Sequence, residues 1–378
     1  MSLPPSDDAA ADATAAAATA PAATPEREIG VGFVGLGWPG EQHAKAVLAL
    51  PGARVAAACD LDSARLDAYA AKYAPERLYT DYAAMLADPS VEAVVVSLPN
   101  FLHASATLEA LRAGKHVLCE KPPTMNVPEI EAIREEARAR GLVYAFGRQS
   151  RFGAAMLQAR QIVQGGTLGE VYFVKAERVR SRGVPAWGGG WFLDKKRAGG
   201  GAMIDIGVHA LDAAWFLLGC PEPLSVSAQV NAGFNHWLPE GVASSVEDGG
   251  FAFVRFAGGV VMHLEVTWAQ HVTAAVPVSP WAGHELENTT VYGNRGTLQL
   301  EPLTVFTMEG MDRRAAEQLT VPETGQDARF ERQMGDFLEA IRTGGEPVNN
   351  VDQAVRLMKM LAAVYESSER GAEVRLEG

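Results

Sequence analysis

Cysteine is scarce in this chain of 378 residues: there are three, Cys59, Cys119 and Cys220. They lie far apart and form no C-x-x-C pair, which excludes a disulfide framework and a zinc knuckle. Cys59 and Cys119 each close an apolar run, the usual setting of a buried, inert thiol. Basic residues are also short, with 33 Lys and Arg against 46 Asp and Glu and a net charge of -13. That balance argues against nucleic acid or an anionic membrane as the partner. No apolar run reaches the ~18 residues that a membrane span requires. The first Lys or Arg is Arg27, and Met1 to Thr24 is nearly all Ala, Thr, Pro, Asp and Ser, a poor signal peptide. Residues 1–26 therefore read as a flexible Ala-rich arm, or as a piece that docks on a neighbouring subunit. His236, His263, His271 and His284 form no His/Cys cluster, so no metal is expected. There is no internal repeat.

What remains is the composition of a globular protein, 48% hydrophobic and 21% charged, long enough for two domains. Its most informative stretch is Gly30 to Gly40. The apolar run Val31 to Val34 reads as a buried strand and leads into Gly35, Gly37 and Gly40, a G-x-G-x-x-G spacing. Trp38 and Pro39 fill that spacing, and a helix follows. Strand, glycine turn and helix in this order form the dinucleotide fingerprint. The first glycine permits the tight turn, the second lets backbone N–H groups approach a pyrophosphate, and the third lets helix and strand pack closely. A second strand ends at Asp60, twenty residues past Gly40, with Arg65 shortly after. A carboxylate there accepts hydrogen bonds from ribose hydroxyls and repels a 2′-phosphate, so NAD is expected over NADP. The plainer reading of Asp60 is a cap on the helix that follows.

From Arg27 to about Gly147 strands alternate with helices. Strands are predicted at 29–34, 54–59, 92–97, 116–119 and 143–146, and helices at 40–50, 62–74, 80–87, 104–113 and 128–140. Such alternation implies a parallel sheet covered on both faces. Ligands in these sheets sit beyond the C-terminal strand ends, where Ser97, Pro99, Asn100, His103, Glu120 and Lys121 fall. After residue 150 hairpins dominate, with turns at Ala257–Val260 and Gly293–Gly296, and two amphipathic helices close the chain. The fold class is thus α/β. A Rossmann domain with a parallel sheet is expected over 27–148, and an α+β domain with a large, mostly antiparallel open sheet over 149–378. Gly199-Gly200-Gly201 opens a helix on which Asp205 and His209 stand four apart and share a face. The three glycines suggest close approach to a ligand. Taken alone, Asp205 and His209 read as a polar pair beside a core; beside the other motifs they read as reacting groups. Oxidation of a secondary alcohol needs a base for the hydroxyl proton, which histidine suits, and a cation for developing alkoxide charge, which Lys121 supplies.

Taken together, Gly35–Gly40, Pro99-Asn100-x-x-His103, Glu120-Lys121-Pro122, and Gly199 through Asp205 to His209 resemble the Gfo/Idh/MocA oxidoreductase family. That family includes glucose–fructose oxidoreductase and inositol dehydrogenases. The resemblance covers about residues 27–378. It implies Lys121, Asp205 and His209 as the catalytic set, with His209 as acid and base. It also implies a C-terminal sheet that builds a homodimer or homotetramer, and a sugar, inositol or related polyol as substrate. Where family members often read Asn-x-Arg, this chain reads Arg148-Gln149-Ser150-Arg151, and Arg151 is assigned to the substrate. Trp187 and Trp191, in a Gly- and Trp-rich loop, are expected to overhang the site and stack on a sugar face or the nicotinamide. The expectation is a cytoplasmic NAD(P)-dependent dehydrogenase. Alternatives are a glycoside-cleaving enzyme that uses NAD transiently, and a non-catalytic cofactor sensor.

Overall fold

The computed structural model describes residues 28–185, 190–271, 278–279, 283–309, 313–322 and 325–376. The expected N-terminal arm and Trp187 lie outside these residues. The first sheet comprises β1 (Ile29–Val34), β2 (Ala53–Cys59), β3 (Arg77–Tyr79), β4 (Ala93–Val96), β5 (His116–Cys119) and β6 (Tyr144–Phe146). Its order is β3-β2-β1-β4-β5-β6, with every pair parallel. All six residues of β1 and all four of β4 are buried, because helices cover both faces and no polar side chain is needed on either. The helices are α1 (Trp38–Ala49), α2 (Ser63–Tyr73), α3 (Tyr82–Leu86), α4 (His103–Arg112) and α5 (Val127–Arg140). Strand order reverses between β1 and β4, so a crevice opens beyond their C-terminal ends. β3 was not visible in the sequence, being three residues on an exposed edge with no period to read.

In the second half the chain runs α6 (Ala154–Gln164), β7 (Val171–Arg180), α7 (Lys195–Ala198) and α8 (Val208–Leu217). It continues with β8 (Pro223–Asn231), β9 (Gly249–Phe256), β10 (Val261–Thr267), β11 (Val278–Ser279), β12 (Gly283–Gly293), β13 (Gly296–Gln299), β14 (Thr304–Glu309) and β15 (Arg313–Gln318). Then come α9 (Gln326–Thr343), α10 (Val351–Arg370) and β16 (Val374–Arg375). The large sheet runs β15-β14-β13-β12-β7-β10-β9-β8-β16, with β11 beside β12. Only the β7–β10 pair is parallel. Both predicted hairpins form, β9 to β10 and β12 to β13. Along β7, Val174 and Ala176 are buried on one face, which continues as the partly covered Arg178 and Arg180, while Val179 is buried on the other. Among the described residues, no helix is long and apolar enough to cross a membrane.

The two closing helices part company. α10 joins the core of the large sheet through Val355, Leu357, Met358 and Leu361. α9 turns back to α1, and its Phe330, Met334, Phe337 and Leu338 share a core with Val31 and Phe33 of β1. Each such fully buried side chain contributes about 1.5–3 kcal/mol, so the end of the chain helps hold its beginning.

Between β6 and α8 lies a wholly buried ion cluster. Arg148 Nε donates to Asp212 Oδ2 at 2.8 Å, Arg151 Nε donates to the same oxygen at 3.0 Å, and Arg151 also donates to Oδ1. All three side chains are 0% exposed. Burial alone would raise the Asp212 carboxyl, but the two guanidinium groups overcome it and hold it below the usual carboxylate range. A depressed carboxylate adds stability above its unfolded pKa of about 4, and that stability is lost as pH falls through the folded value. Asp212→Ala would leave two buried cations short of their counter-charge. We expect it to cost about 3–5 kcal/mol in urea denaturation at neutral pH, with the gap to wild type narrowing as the pH is taken below about 4. Equal midpoints at neutral pH would show that the cluster is not structural.

Candidate active site

The first turn of α1 is built to meet an anion. Gly35 has φ +82, and a Cβ there would lie 2.5 Å from the Ser97 carbonyl oxygen. A Cβ on Gly40 would lie 2.5 Å from the Gly35 carbonyl oxygen, so this glycine serves the contact of helix and strand. At Gly37 no heavy atom comes nearer than 3.9 Å. Gly37 caps α1 without any side-chain hydrogen bond and Pro39 sits in the first turn, which leaves N–H groups of that turn for a ligand. The Ser97 hydroxyl, at the end of β4, is buried with no partner. These features fit a dinucleotide.

Asp60 is not the cap of α2. Asp62 is, accepting from the N–H groups of Ala64 (2.9 Å) and Arg65 (3.3 Å). Asp60 instead accepts from Leu36 N at 3.2 Å and Asp62 N at 3.0 Å, which holds its carboxylate beside the glycine turn. Arg65 pairs with it at 3.3 Å from the solvent side.

A cleft of 670 Å³ runs beyond the strand ends, lined by Trp38, Pro39, Ser97, Pro99, Asn100, His103, Glu120, Lys121, Trp191, Asp205 and His209, among others. Residues expected from distant parts of the sequence thus line one cleft. Lys121 Nζ donates to Asp205 Oδ1 and to the Asp205 carbonyl, both at 3.3 Å. Trp268 Nε1 donates to Asp205 Oδ2 at 3.0 Å. Asp205 sits in a π-helical turn, Met203–Gly207, that runs straight into α8 and His209. Burial, then the charges of Arg148, Lys121, Arg178 and Arg180, push the imidazole well below its ordinary pKa, so His209 is neutral near pH 7.

Other expected contacts are taken within the protein. His103 lies between the Pro122 carbonyl, 2.7 Å from Nδ1, and the Leu98 carbonyl, 2.6 Å from Nε2, and as a neutral ring it donates to one of the two. Asn100 donates to the Ala198 carbonyl at 2.8 Å. Glu120 bonds His43 Nε2 at 2.8 Å and accepts from Lys121 N at 3.2 Å. The peptide bond between Lys121 and Pro122 is cis.

Two expectations are corrected. Arg151 does not reach the cleft. It is buried on Asp212 and against the Phe146 and Phe216 rings, 5.1 and 4.7 Å from their centroids. Arg148 stands beside the site instead, donating to His209 Nδ1 and, at 3.0 Å, to the His209 carbonyl. The glycine triplet serves packing rather than a ligand. A Cβ on Gly200 would lie 2.0 Å from the Tyr365 hydroxyl and one on Gly201 1.8 Å from the Glu247 carbonyl oxygen. Glu247 in turn accepts from Gly201 N, Met203 N and the Tyr365 hydroxyl at 2.8, 3.0 and 2.8 Å.

The sequence reading missed Trp268, Arg178 and Arg180. The two arginines are two apart on a predicted strand, so their shared face was a usable signal. Trp268 had none, because only the pairing of β10 with β7 brings it to Asp205.

Two family models match the chain. One, described as "Oxidoreductase family, NAD-binding Rossmann fold", matches residues 29–148, and one described as "GFO/IDH/MocA C-terminal domain" matches residues 156–299. The chain is similar to D-glucoside 3-dehydrogenase of Escherichia coli (strain K12), 33% identical over 85% of this chain and 89% of that one. It is also similar to scyllo-inositol 2-dehydrogenase (NAD(+)) of Bacillus subtilis (strain 168), 26% identical over 93% and 97% of the two chains. Among solved structures, an oxidoreductase domain protein from Kribbella flavida matches with a TM-score of 0.82 and 25% identity, covering 93% of this chain and all of that one.

The glycine geometry predicts a split between two alanine variants. Gly40→Ala forces helix and strand apart and should cost about 1–3 kcal/mol of stability in the apoprotein, read by urea denaturation. Gly37→Ala should leave stability near wild type and weaken NAD binding in a fluorescence titration. The reverse pattern would contradict the assignment.

Proposed function

The chain belongs to the Gfo/Idh/MocA oxidoreductase family, and from that premise we propose that Lys121, Asp205 and His209 surround the reacting secondary alcohol of a sugar or cyclic polyol. The protein is an NAD-binding oxidoreductase. When bound, the nicotinamide supplies the acceptor or donor of hydride. The observation that carries the assignment is the contact of Lys121 with Asp205 at 3.3 Å on the wall of the cleft that His209 also lines.

The roles follow from the chemistry of the groups. Gly35, Gly37 and the first turn of α1 receive the pyrophosphate. Asp60, anchored by two backbone N–H groups, accepts from ribose hydroxyls and keeps a negative charge where NADP would bring a phosphate. Arg65 offsets that charge only from the exposed side. Lys121 stabilises developing alkoxide. Asp205, held by Trp268 on its other oxygen, fixes Lys121 and is placed to accept from a neighbouring hydroxyl. Trp191 offers an aromatic face at the cleft.

We assign residues 27–148 to the coenzyme and 149–378 to substrate and assembly, with α9 returning to the coenzyme side. The large sheet exposes Phe251, Phe306 and Met308 on one face, an apolar set suited to a second copy of the chain. Sedimentation that finds monomer alone at every concentration would remove that reading. The three cysteines are free and buried, which fits a reducing, cytoplasmic setting.

A panel of glucosides, aldoses and inositols with NAD, followed by NADH absorbance, tests the proposal. Lys121→Met and His209→Asn should each lose turnover by about 100-fold or more while still binding NAD, and NAD should bind more tightly than NADP. Wild-type turnover in both variants would overturn the catalytic assignment, and tighter NADP binding would overturn the reading of Asp60.

A further inference from the structure

The Arg148–His209 contact limits what the imidazole can do. A guanidinium has only N–H donors, so the ring nitrogen that it meets must accept. Arg148 meets Nδ1 and, through its second terminal nitrogen, the carbonyl of the same residue. In the neutral ring the proton is then on Nε2. Nδ1 is thus taken, and Nε2 is the nitrogen left to the cleft that the ring lines. Arg148 has no freedom to retreat. Its side chain is 0% exposed, its Nε is bound to Asp212 at 2.8 Å, and its backbone N–H is bound to Gln333 at 3.0 Å.

A neutral imidazole with hydrogen on Nε2 donates to an alcohol oxygen and cannot take a proton from it there. Lys121 lines the same cleft, can exchange a proton with an oxygen, and is half-buried against the Asp205 carboxylate. We propose that Arg148 is a positioning residue that holds His209 with its proton on Nε2, so that His209 donates a hydrogen bond to the substrate oxygen and Lys121 takes or returns the proton. This rests on the reading of Lys121, Asp205 and His209 as the reacting set, and it replaces the role of base expected for His209. On oxidation the hydroxyl O–H bond breaks and its proton passes to Lys121 as the ammonium hands one of its own protons to the Asp205 carboxylate, 3.3 Å away. The carbon's hydride leaves with its electron pair to NAD, the oxidant, and the alcohol becomes a carbonyl. His209 ends with the proton that it began with. Reduction is the reverse, with NADH as reductant and the Lys121 ammonium as acid.

The surroundings of the ring agree in sign. Lys121 faces it from the loop after β5, Asp205 from the π turn, Arg178 and Arg180 from β7, and Arg148 from the end of β6. On its other side a small cavity of 60 Å³ is lined by Glu177, Glu287, Glu301 and Arg329. Cations therefore crowd the ring most closely, with Asp205 and those carboxylates the opposing charges, and a second proton on it is disfavoured.

The test is nitrogen-15 histidine spectroscopy of the full-length apoenzyme, with the His209 signals assigned by their loss in His209→Gln. We expect two-bond proton–nitrogen correlations to show protonated Nε2 and bare Nδ1, with no titration of this ring from about pH 5 to 8. In Arg148→Met, where Arg151 still pairs with Asp212, the ring should lose its fixed tautomer, with the proton shared between Nδ1 and Nε2. Lys121→Arg, which keeps the charge but does not release a proton, should lose turnover about 100-fold or more with the His209 signals unmoved. A wild-type ring protonated on Nδ1 would overturn the proposal by itself, whether or not Arg148→Met folds. So would unchanged His209 signals in a folded Arg148→Met, or near-wild-type turnover in Lys121→Arg. None of these results would touch the broader catalytic assignment, which fails only if Lys121→Met and His209→Asn both remain active.

Discussion

Two guanidinium groups sharing one carboxylate, out of reach of water, constrain this molecule more than any other interaction. Asp212 lies on α8, one turn beyond His209, and Arg148 and Arg151 leave the end of β6. A buried charge without its partners costs several kcal/mol, so the strand end and the helix move together. Arg151 extends the tie to α10 through Gln353 and to the loop before it through the Val348 carbonyl. Arg148 extends it to the imidazole. The orientation of the ring in the cleft is therefore set by the same contacts that join the two sheets.

The rest of the cleft repeats this design on a smaller scale. Asp205 is held on one oxygen by Trp268 from the large sheet and on the other by Lys121 from the small one. Glu120 holds His43 on α1 and the backbone of Lys121. Burial would raise the Glu120 carboxyl, but its bond to His43 and the nearby positive charges bring it below the ordinary value, so it remains an acceptor. His103 lies between the loops after β4 and β5. Each polar group is positioned by another polar group with no wide freedom of its own. That is the arrangement a site needs if it is not to reorganise when charge develops on a substrate oxygen.

Much of this was readable from residues alone, and the reasons are local. The β1 run, the three glycines and Asp60 lie within one βαβ unit, where sequence spacing and spatial placement coincide. The hairpin turns at Gly258-Gly259 and Gly293–Gly296 announced the antiparallel sheet in the same way. What was not readable depends on long-range pairing. Gly199, Gly200 and Gly201 looked like a ligand loop, yet two of them exist to admit Tyr365 and the Glu247 carbonyl, residues 165 and 46 positions away. Arg148 and Arg151 are both buried and both bind Asp212, and only three-dimensional placement shows which one meets His209. The edge strands β15 and β16, and β14 beside the first of them, are partly polar and short, and they take their form from the neighbours they pair with.

The most direct test of the account is a crystal structure of the enzyme with NAD and a bound glucoside or polyol. The account predicts that the alcohol oxygen of the carbon facing the nicotinamide lies within hydrogen-bond distance of both Lys121 Nζ and His209 Nε2, with Arg148 still on Nδ1. A substrate bound with that oxygen away from both groups, or on the opposite side of the cleft from them, would contradict it.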